Sequence, residues 1–236
     1  EYITEPSTDR MIFFWNNRNA RRKQSGTLIF WFNEFAEQVG PDNVCLLMHT
    51  DPRDPNGQDL EYIINELDIT DGRVMLSKNK VPSDLLSGMY NLAACTINIS
   101  DAEGFGLATL ESLSCETPIV VNMTGGLQEQ VTDGEEWFGI GLEPASKAII
   151  GSQQVPYIYE DRLSKEQFIS ALHKIYNMSK EERSELGRKG REHVEKNYNF
   201  DDFRNRWIEL MDSVSEKHGS WSTRKLHKTW EMKEIA

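Results

Sequence analysis

The sequence has no apolar run long enough to cross a bilayer, and it opens without the basic-then-apolar pattern of a secretory signal. It has only three cysteines, Cys45, Cys95 and Cys115. That odd, small number excludes a disulfide framework, and no Cys/His spacing suggests a zinc site, so the three read as free buried thiols of a reducing compartment. Basic charge is also short: 26 Lys and Arg stand against 38 Asp and Glu, a net charge of −12. Such a surface argues against nucleic acid as a main partner and against broad docking on anionic membranes, while leaving a local basic pocket open. The five histidines show no triad-like context. There is no internal repeat and no low-complexity tract. The expected location is the cytoplasm, free or peripheral to a membrane. On that reading the sequons at Asn98-Ile-Ser100, Asn122-Met-Thr124 and Asn177-Met-Ser179 are coincidental. The chain opens on Glu1 rather than Met, which suggests a processed product, a truncation or an absent front end.

What is present is an alternation. Apolar residues make up 38% of the chain and fall into short runs separated by helical patterns. Strands are expected over Met11-Ile-Phe-Phe-Trp15, Val44 to Met48, Arg73 to Ser77, Thr96 to Ser100 and Pro118-Ile-Val-Val-Asn122. Helices are expected with Leu28, Phe32, Phe35 and Val39 on one face, from Asp59 to Leu67, after Pro82, and after the loop that begins at Glu103. Five strands separated by helices predict an α/β, Rossmann-like, doubly wound parallel sheet. After Asn122 the pattern loosens into a glycine-rich segment from Gly134 to Gly141 and a linker from Pro144 to Pro156. C-terminal helices follow. Ser164-Lys-Glu-Gln167 and Ser179-Lys-Glu-Glu182 read as capping boxes, and a further helix from about Asn199 carries Phe203, Trp207, Leu210 and Met211. The expected layout is a leader or linker over residues 1–10, one Rossmann-like domain with its C-terminal helices over 11–217, and a charged tail over 218–236 with Trp221 and Trp230.

One segment concentrates chemistry. Glu103-Gly-Phe-Gly-Leu-Ala-Thr-Leu-Glu111 sets two carboxylates around a glycine-containing turn that opens a helix directly after a strand. A strand, tight loop and helix N-terminus gather backbone N–H groups around an anion. A phosphate on those amides would have one carboxylate to either side, which suits a diphosphate flanked by hydroxyl-rich groups. The turn-rich loop Asp51-Pro-Arg-Asp-Pro-Asn-Gly57 reads as solvated turn residues rather than metal ligands.

This segment resembles the E-x7-E motif of retaining GT-B glycosyltransferases of the large family 4 group. Its flanks agree: Glu111-Ser-Leu-Ser-Cys-Glu-Thr-Pro-Ile-Val-Val is similar to the family's E-A-x-A-x-G-x-P-V-V run, and Thr124-Gly-Gly-Leu-Gln-Glu129 to its G-G-x-x-E loop. Arg18 and Lys23 are similar to its basic pair, with Arg21 and Arg22 competing for the same role. Glu116 stands where the family commonly has glycine. The resemblance implies a nucleoside-diphosphate sugar as donor, UDP- or GDP-linked, with no metal and no other cofactor. It implies that Arg18 and Lys23, with the amides of Leu107 and Ala108, face the diphosphate, and that Glu111 faces the ribose hydroxyls. Glu103, with the amides of Gly104, Phe105 and Gly106, would hold the transferred sugar, and Gly125 and Gly126 would allow close backbone approach. Base contacts are expected from the loop Ser77 to Ser83. The acceptor would be a glycan, lipid or other hydroxyl compound, and the acceptor-binding N-terminal domain is absent from this chain. The isolated half is then expected to bind nucleotide but transfer sugar poorly. The alternative reading is a non-catalytic nucleotide-sugar-binding module that acts with a partner subunit.

Overall fold

The structure, a computed structural model, describes residues 9–225; the expected leader up to residue 8, and Trp230 in the tail, lie outside them. The chain divides into two compact units at residues 194 and 195.

In the first unit, β1 (Met11–Asn16), β2 (Val44–His49), β3 (Val74–Ser77), β4 (Ala93–Asn98), β5 (Ile119–Asn122) and β6 (Gly139–Leu142) form one sheet in the order β3-β2-β1-β4-β5-β6. Every pairing in it is parallel. The helices between strands are α1 (Ser25–Val39), α2 (Leu60–Glu66), α3 (Ser83–Leu92), α4 (Leu107–Ser114) and α5 (Leu127–Val131). Strands covered on both faces lose the polar alternation of an exposed strand, which is why Phe13, Phe14 and Trp15 can be consecutive and fully buried. Phe13 packs edge-on to Phe32 and Phe35 of α1, each at 5.5 Å between ring centres. α6 (Lys165–Asn177) buries Phe168, Leu172 and Ile175 in the same core. A smaller cluster of Leu113, Ile119, Val121, Leu127, Val131 and Phe138 holds α4 and α5 to the other side of the sheet.

Strand order reverses at β1, which has β2 on one side and β4 on the other. Chains leaving such neighbouring strands diverge, so a crevice opens at their carboxyl ends. The residues after β1 and after β4 therefore face one another across it.

Three sequence expectations are corrected. β6 lies inside the stretch read only as glycine-rich: Gly139 sits where a Cβ would come within 2.0 Å of the Ile119 carbonyl oxygen, so glycine marks a close strand approach there. The expected linker instead enters an antiparallel hairpin, β7 (Ser146–Ile149) with β8 (Tyr159–Arg162). The fourth strand begins earlier than expected and stops at Asn98, whose Oδ1 accepts from the Ser100 amide at 3.2 Å and the Ser100 hydroxyl at 2.5 Å, a local turn that ends the ladder. α5 was not foreseen. Both capping boxes form: Ser164 accepts from the Gln167 amide, and Ser179 and Glu182 satisfy each other's amides at 3.1 and 2.7 Å. Asn98 and Asn122 are fully buried and unsuited to carry a glycan.

α7 (Lys180–Asn197) runs across the unit boundary. In the second unit, Asn199 caps α8 (Phe200–His218) by accepting from the Asp202 amide at 2.9 Å, and no side chain of that helix is buried. Arg224 lies over the Trp221 ring.

Candidate donor site at the strand-order reversal

After β1 the chain passes Asn17, Arg18 and Asn19 and tightens into a 3₁₀ turn over Arg21–Lys23. Gln24 then takes a left-handed conformation, φ 56°, that starts α1. Gln24 is held there because its Nε2 donates to Asp101 and its Oε1 accepts from Thr27. The result is a turned-in Lys23: its ammonium is largely buried and donates to Asn17 Oδ1 at 2.8 Å and to Glu103 Oε2. Arg22 donates to the Ala102 carbonyl at 2.7 Å and reaches the same Glu103 oxygen at 3.4 Å. The crevice thus joins Lys23 and Glu103 across 80 residues of sequence.

Burial pushes the Glu103 carboxyl up, yet the hydrogen bond and charge of Lys23, helped by Arg22, outweigh it and hold the group below its ordinary value. Burial also draws the Lys23 ammonium below its usual range against the pull of Glu103. A carboxyl depressed on folding contributes stability above its unfolded value, near 4.5, and loses it as pH falls through the lower folded value. Glu103→Gln is therefore expected to flatten part of the acid-side loss of stability seen in the wild type between pH 5 and pH 3, as read from urea midpoints. Superimposable pH profiles would contradict that role.

Arg18 lies farther out. Its guanidinium forks onto Asp54 at 2.6 and 3.2 Å and is largely exposed, so it is placed at the rim with the β2–α2 loop and not on Glu103. Arg21 forks onto Glu160 of β8 at 2.9 and 2.5 Å. Arg162 donates to Glu160 at 3.0 Å and to Asp101, and Thr124 donates to Asp161 at 2.7 Å. The β7–β8 hairpin thereby ties together the loops after β1, β4 and β5, an arrangement that the expected linker gave no sign of.

The Glu103–Gly106 loop is held by its backbone. Gly126 donates to the Gly104 carbonyl at 3.2 Å, and Gln130 Nε2 donates to the Phe105 carbonyl at 2.7 Å while its Oε1 accepts from Thr109. A Cβ on Gly125, at φ +51°, would stand 1.7 Å from the Glu103 carbonyl oxygen; one on Gly126 would stand 2.8 Å from that of Gly104. Both glycines are thus required for close approach to the motif loop itself. Gly106, at φ 90°, opens α4 without a side-chain cap, so the amides of Leu107 and Ala108 have no preceding carbonyls to bond within the helix. Leu107 and Phe105 are exposed beside them. Glu111, one turn farther on, is exposed and accepts from Tyr90 Oη at 2.8 Å. At the far end of α4, Glu116 adopts φ +60°, the conformation that a glycine there would serve without strain.

Sequence reasoning missed Tyr90, Asn17 and Gln130: the partners of Tyr90 and Gln130 lie on other elements of the chain, and the turn that brings Asn17 to Lys23 leaves no mark in the sequence; only Gln130, next to the glycine loop, lies close to a recognised pattern. On the expected base-reading loop, Ser77 Oγ lies 2.9 Å from His49 Nδ1. A cavity of about 390 Å³ opens at the opposite end of the sheet, by Arg10, Asn91 and Cys115, and includes none of the residues from Glu103 to Glu111. Among the described residues no cluster of three or more His, Cys, Asp or Glu side chains is placed to hold a metal, and no helix is long and apolar enough to cross a membrane.

Comparison with known proteins adds a family. The family described as Glycosyl transferases group 1 matches residues 3–193. A D-inositol 3-phosphate glycosyltransferase of Acidothermus cellulolyticus is 44% identical over 69 residues, covering 29% of this chain and 15% of that enzyme. Sucrose-phosphate synthase from Thermosynechococcus elongatus shares the fold with a TM-score of 0.68 at 23% identity, over 89% of this chain and 46% of that one. An E. coli structure described as trehalose-6-phosphate bound with UDP-2-fluoro glucose matches with a TM-score of 0.63 at 12% identity, over 85% and 44%. The chain spans less than half the length of each.

Proposed function

The chain belongs to the glycosyl transferases group 1 family, and from that premise we propose that it is the donor-binding half of a glycosyltransferase that moves a sugar from a nucleoside diphosphate to a hydroxyl acceptor with retention. The observation that carries this reading is the Lys23–Glu103 pair set beside the uncapped start of α4 at the strand-order reversal. Breaking the bond between the sugar's anomeric carbon and the diphosphate places negative charge on the leaving oxygens. On this reading Lys23 and the amides of Leu107 and Ala108 receive that charge, and preorganised donors of this kind are worth about 3–4 kcal/mol each. With an ammonium and a helix N-terminus supplying positive potential, the charge is met without a metal. Glu103 holds hydroxyls of the transferred sugar and keeps Lys23 oriented. Glu111 accepts from the ribose hydroxyls, since one carboxylate can serve two adjacent hydroxyls. The acceptor, a glycan, lipid or other hydroxyl compound, binds on the side of the cleft that this half does not supply. The bound UDP sugar in the E. coli relative supports the donor class.

Calorimetric titration with UDP, GDP and ADP tests the reading: at least one is expected to bind, and silence from all three up to millimolar concentration would sink it. Glu111→Ala is expected to weaken the nucleotide that binds about tenfold while leaving inorganic pyrophosphate nearly unchanged. Equal losses for both ligands would contradict the ribose assignment.

A further inference from the structure

We propose that Tyr90 is a positioning residue for donor binding, acting through Glu111 to aim its carboxylate at the ribose. This rests on the donor reading above.

Glu111 projects from the exposed side of α4, where a glutamate side chain has three free torsions and no packing to hold it. Tyr90 sits on α3 and is buried, its ring edge-on to Phe14 at 5.0 Å between ring centres. Its phenol is therefore a fixed point beside an exposed side chain. The phenol has two contacts: it accepts from Asn16 Nδ2, at the carboxyl end of β1, at 2.8 Å, and it donates to Glu111 Oε2 at 2.8 Å. Asn16 can only donate through its amide nitrogen, so the phenolic proton has to point at Glu111. The polarity of the chain from Asn16 to Tyr90 to Glu111 is set by its first member. Burial above all, with the Glu111 charge beside it, pushes the Tyr90 phenol well above its ordinary value, and it stays a donor throughout the physiological range.

The position of the phenol is itself over-determined. The Tyr90 carbonyl accepts from the Thr117 hydroxyl at 2.8 Å, and Ser112 on α4 donates to the Thr117 carbonyl at 2.9 Å. The last turn of α3 is thus bonded to the turn that follows α4, the helix that bears Glu111. With one oxygen engaged by Tyr90, the carboxylate presents Oε1 and the remaining lone pair of Oε2 to a ligand in a single orientation. A ribose that finds the carboxylate already ordered is spared the cost of ordering it.

The test compares wild type, Tyr90→Phe, Asn16→Leu, Glu111→Ala and the Tyr90→Phe/Glu111→Ala pair by calorimetry, with the nucleoside diphosphate that binds wild type, its 2′,3′-dideoxy analogue and inorganic pyrophosphate. Tyr90→Phe is expected to weaken the ribonucleotide about five- to tenfold and Asn16→Leu about two- to threefold, consistent with loss of charge-assisted and polarity-setting hydrogen bonds. Pyrophosphate and the dideoxy analogue should bind as to wild type, and the double variant should lose no more than Glu111→Ala alone. Unchanged ribonucleotide binding in Tyr90→Phe overturns the positioning role while leaving the donor reading intact. Equal weakening of all three ligands overturns it in favour of general damage to the fold. Failure of wild type to bind any nucleotide overturns the donor reading and this role with it.

Discussion

Gly125→Ala is expected to cost about 3 kcal/mol of stability and to reduce nucleotide binding below detection. The added Cβ would stand 1.7 Å from the Glu103 carbonyl oxygen, at a backbone φ of +51° that an alanine adopts only with strain. Neither partner can yield cheaply, because the obstacle is backbone on both sides. The loop must move outward by more than an ångström, and it carries Glu103 away from Lys23 and the start of α4 away from any phosphate. For a unit of this size the melting temperature should fall by about 6–12 °C. The neighbouring glycines provide an internal scale. Gly126→Ala meets backbone at 2.8–2.9 Å and should show an intermediate loss, whereas a Cβ on Gly104 meets nothing within 4 Å and Gly104→Ala should fold as wild type does. Thermal melts and nucleotide titrations on the three variants decide the matter, and a Gly125→Ala protein as stable as Gly104→Ala would contradict the packing described.

Lys23→Met is expected to lower the transfer rate about 100- to 1000-fold in the protein that carries both sides of the cleft, because it removes the side-chain cation bonded to Glu103 that, on the donor reading, meets the leaving diphosphate. It should also destabilise the unit, for a separate reason. Glu103 keeps Arg22 at 3.4 Å but loses its closest partner, and a half-buried carboxylate left short of a donor costs about 1–3 kcal/mol. The two consequences separate in the double variant. Lys23→Met/Glu103→Gln should recover much of the stability, since no unpaired charge remains, and none of the transfer activity. Recovery of activity along with stability would show that Lys23 serves the fold and not the reaction.

The two variants differ in how far the sequence anticipated them. Lys23 and Glu103 were both legible as candidates, one from a basic run and one from a motif. Nothing in their spacing joined them, since they are 80 residues apart. Arg18 was equally legible and the structure seats it on Asp54 at the rim, while Arg22, considered only as a competitor, is the arginine that reaches Glu103. Four basic residues within six positions look alike in a linear reading. A 3₁₀ turn and a left-handed Gln24 distribute them in three directions. Gly125 and Gly126 give no sign in the sequence that the Glu103–Phe105 backbone lies against them.

By itself the sequence determined the architecture and the chemistry-bearing segment. Buried parallel strands must be short and apolar, helices must cap and end, and both leave local marks that period and composition record. The Glu103–Glu111 loop leaves such a mark because strand, glycine turn and helix start are contiguous. Only the tertiary structure decided what surrounds that loop. β6 was hidden by its glycines, of which Gly139 is required by the close approach of β5, and the hairpin of β7 and β8 by residues whose partners lie in other loops. Tyr90 was silent because its function depends on β1 on one side and α4 on the other, and proximity of that kind is a property of strand order.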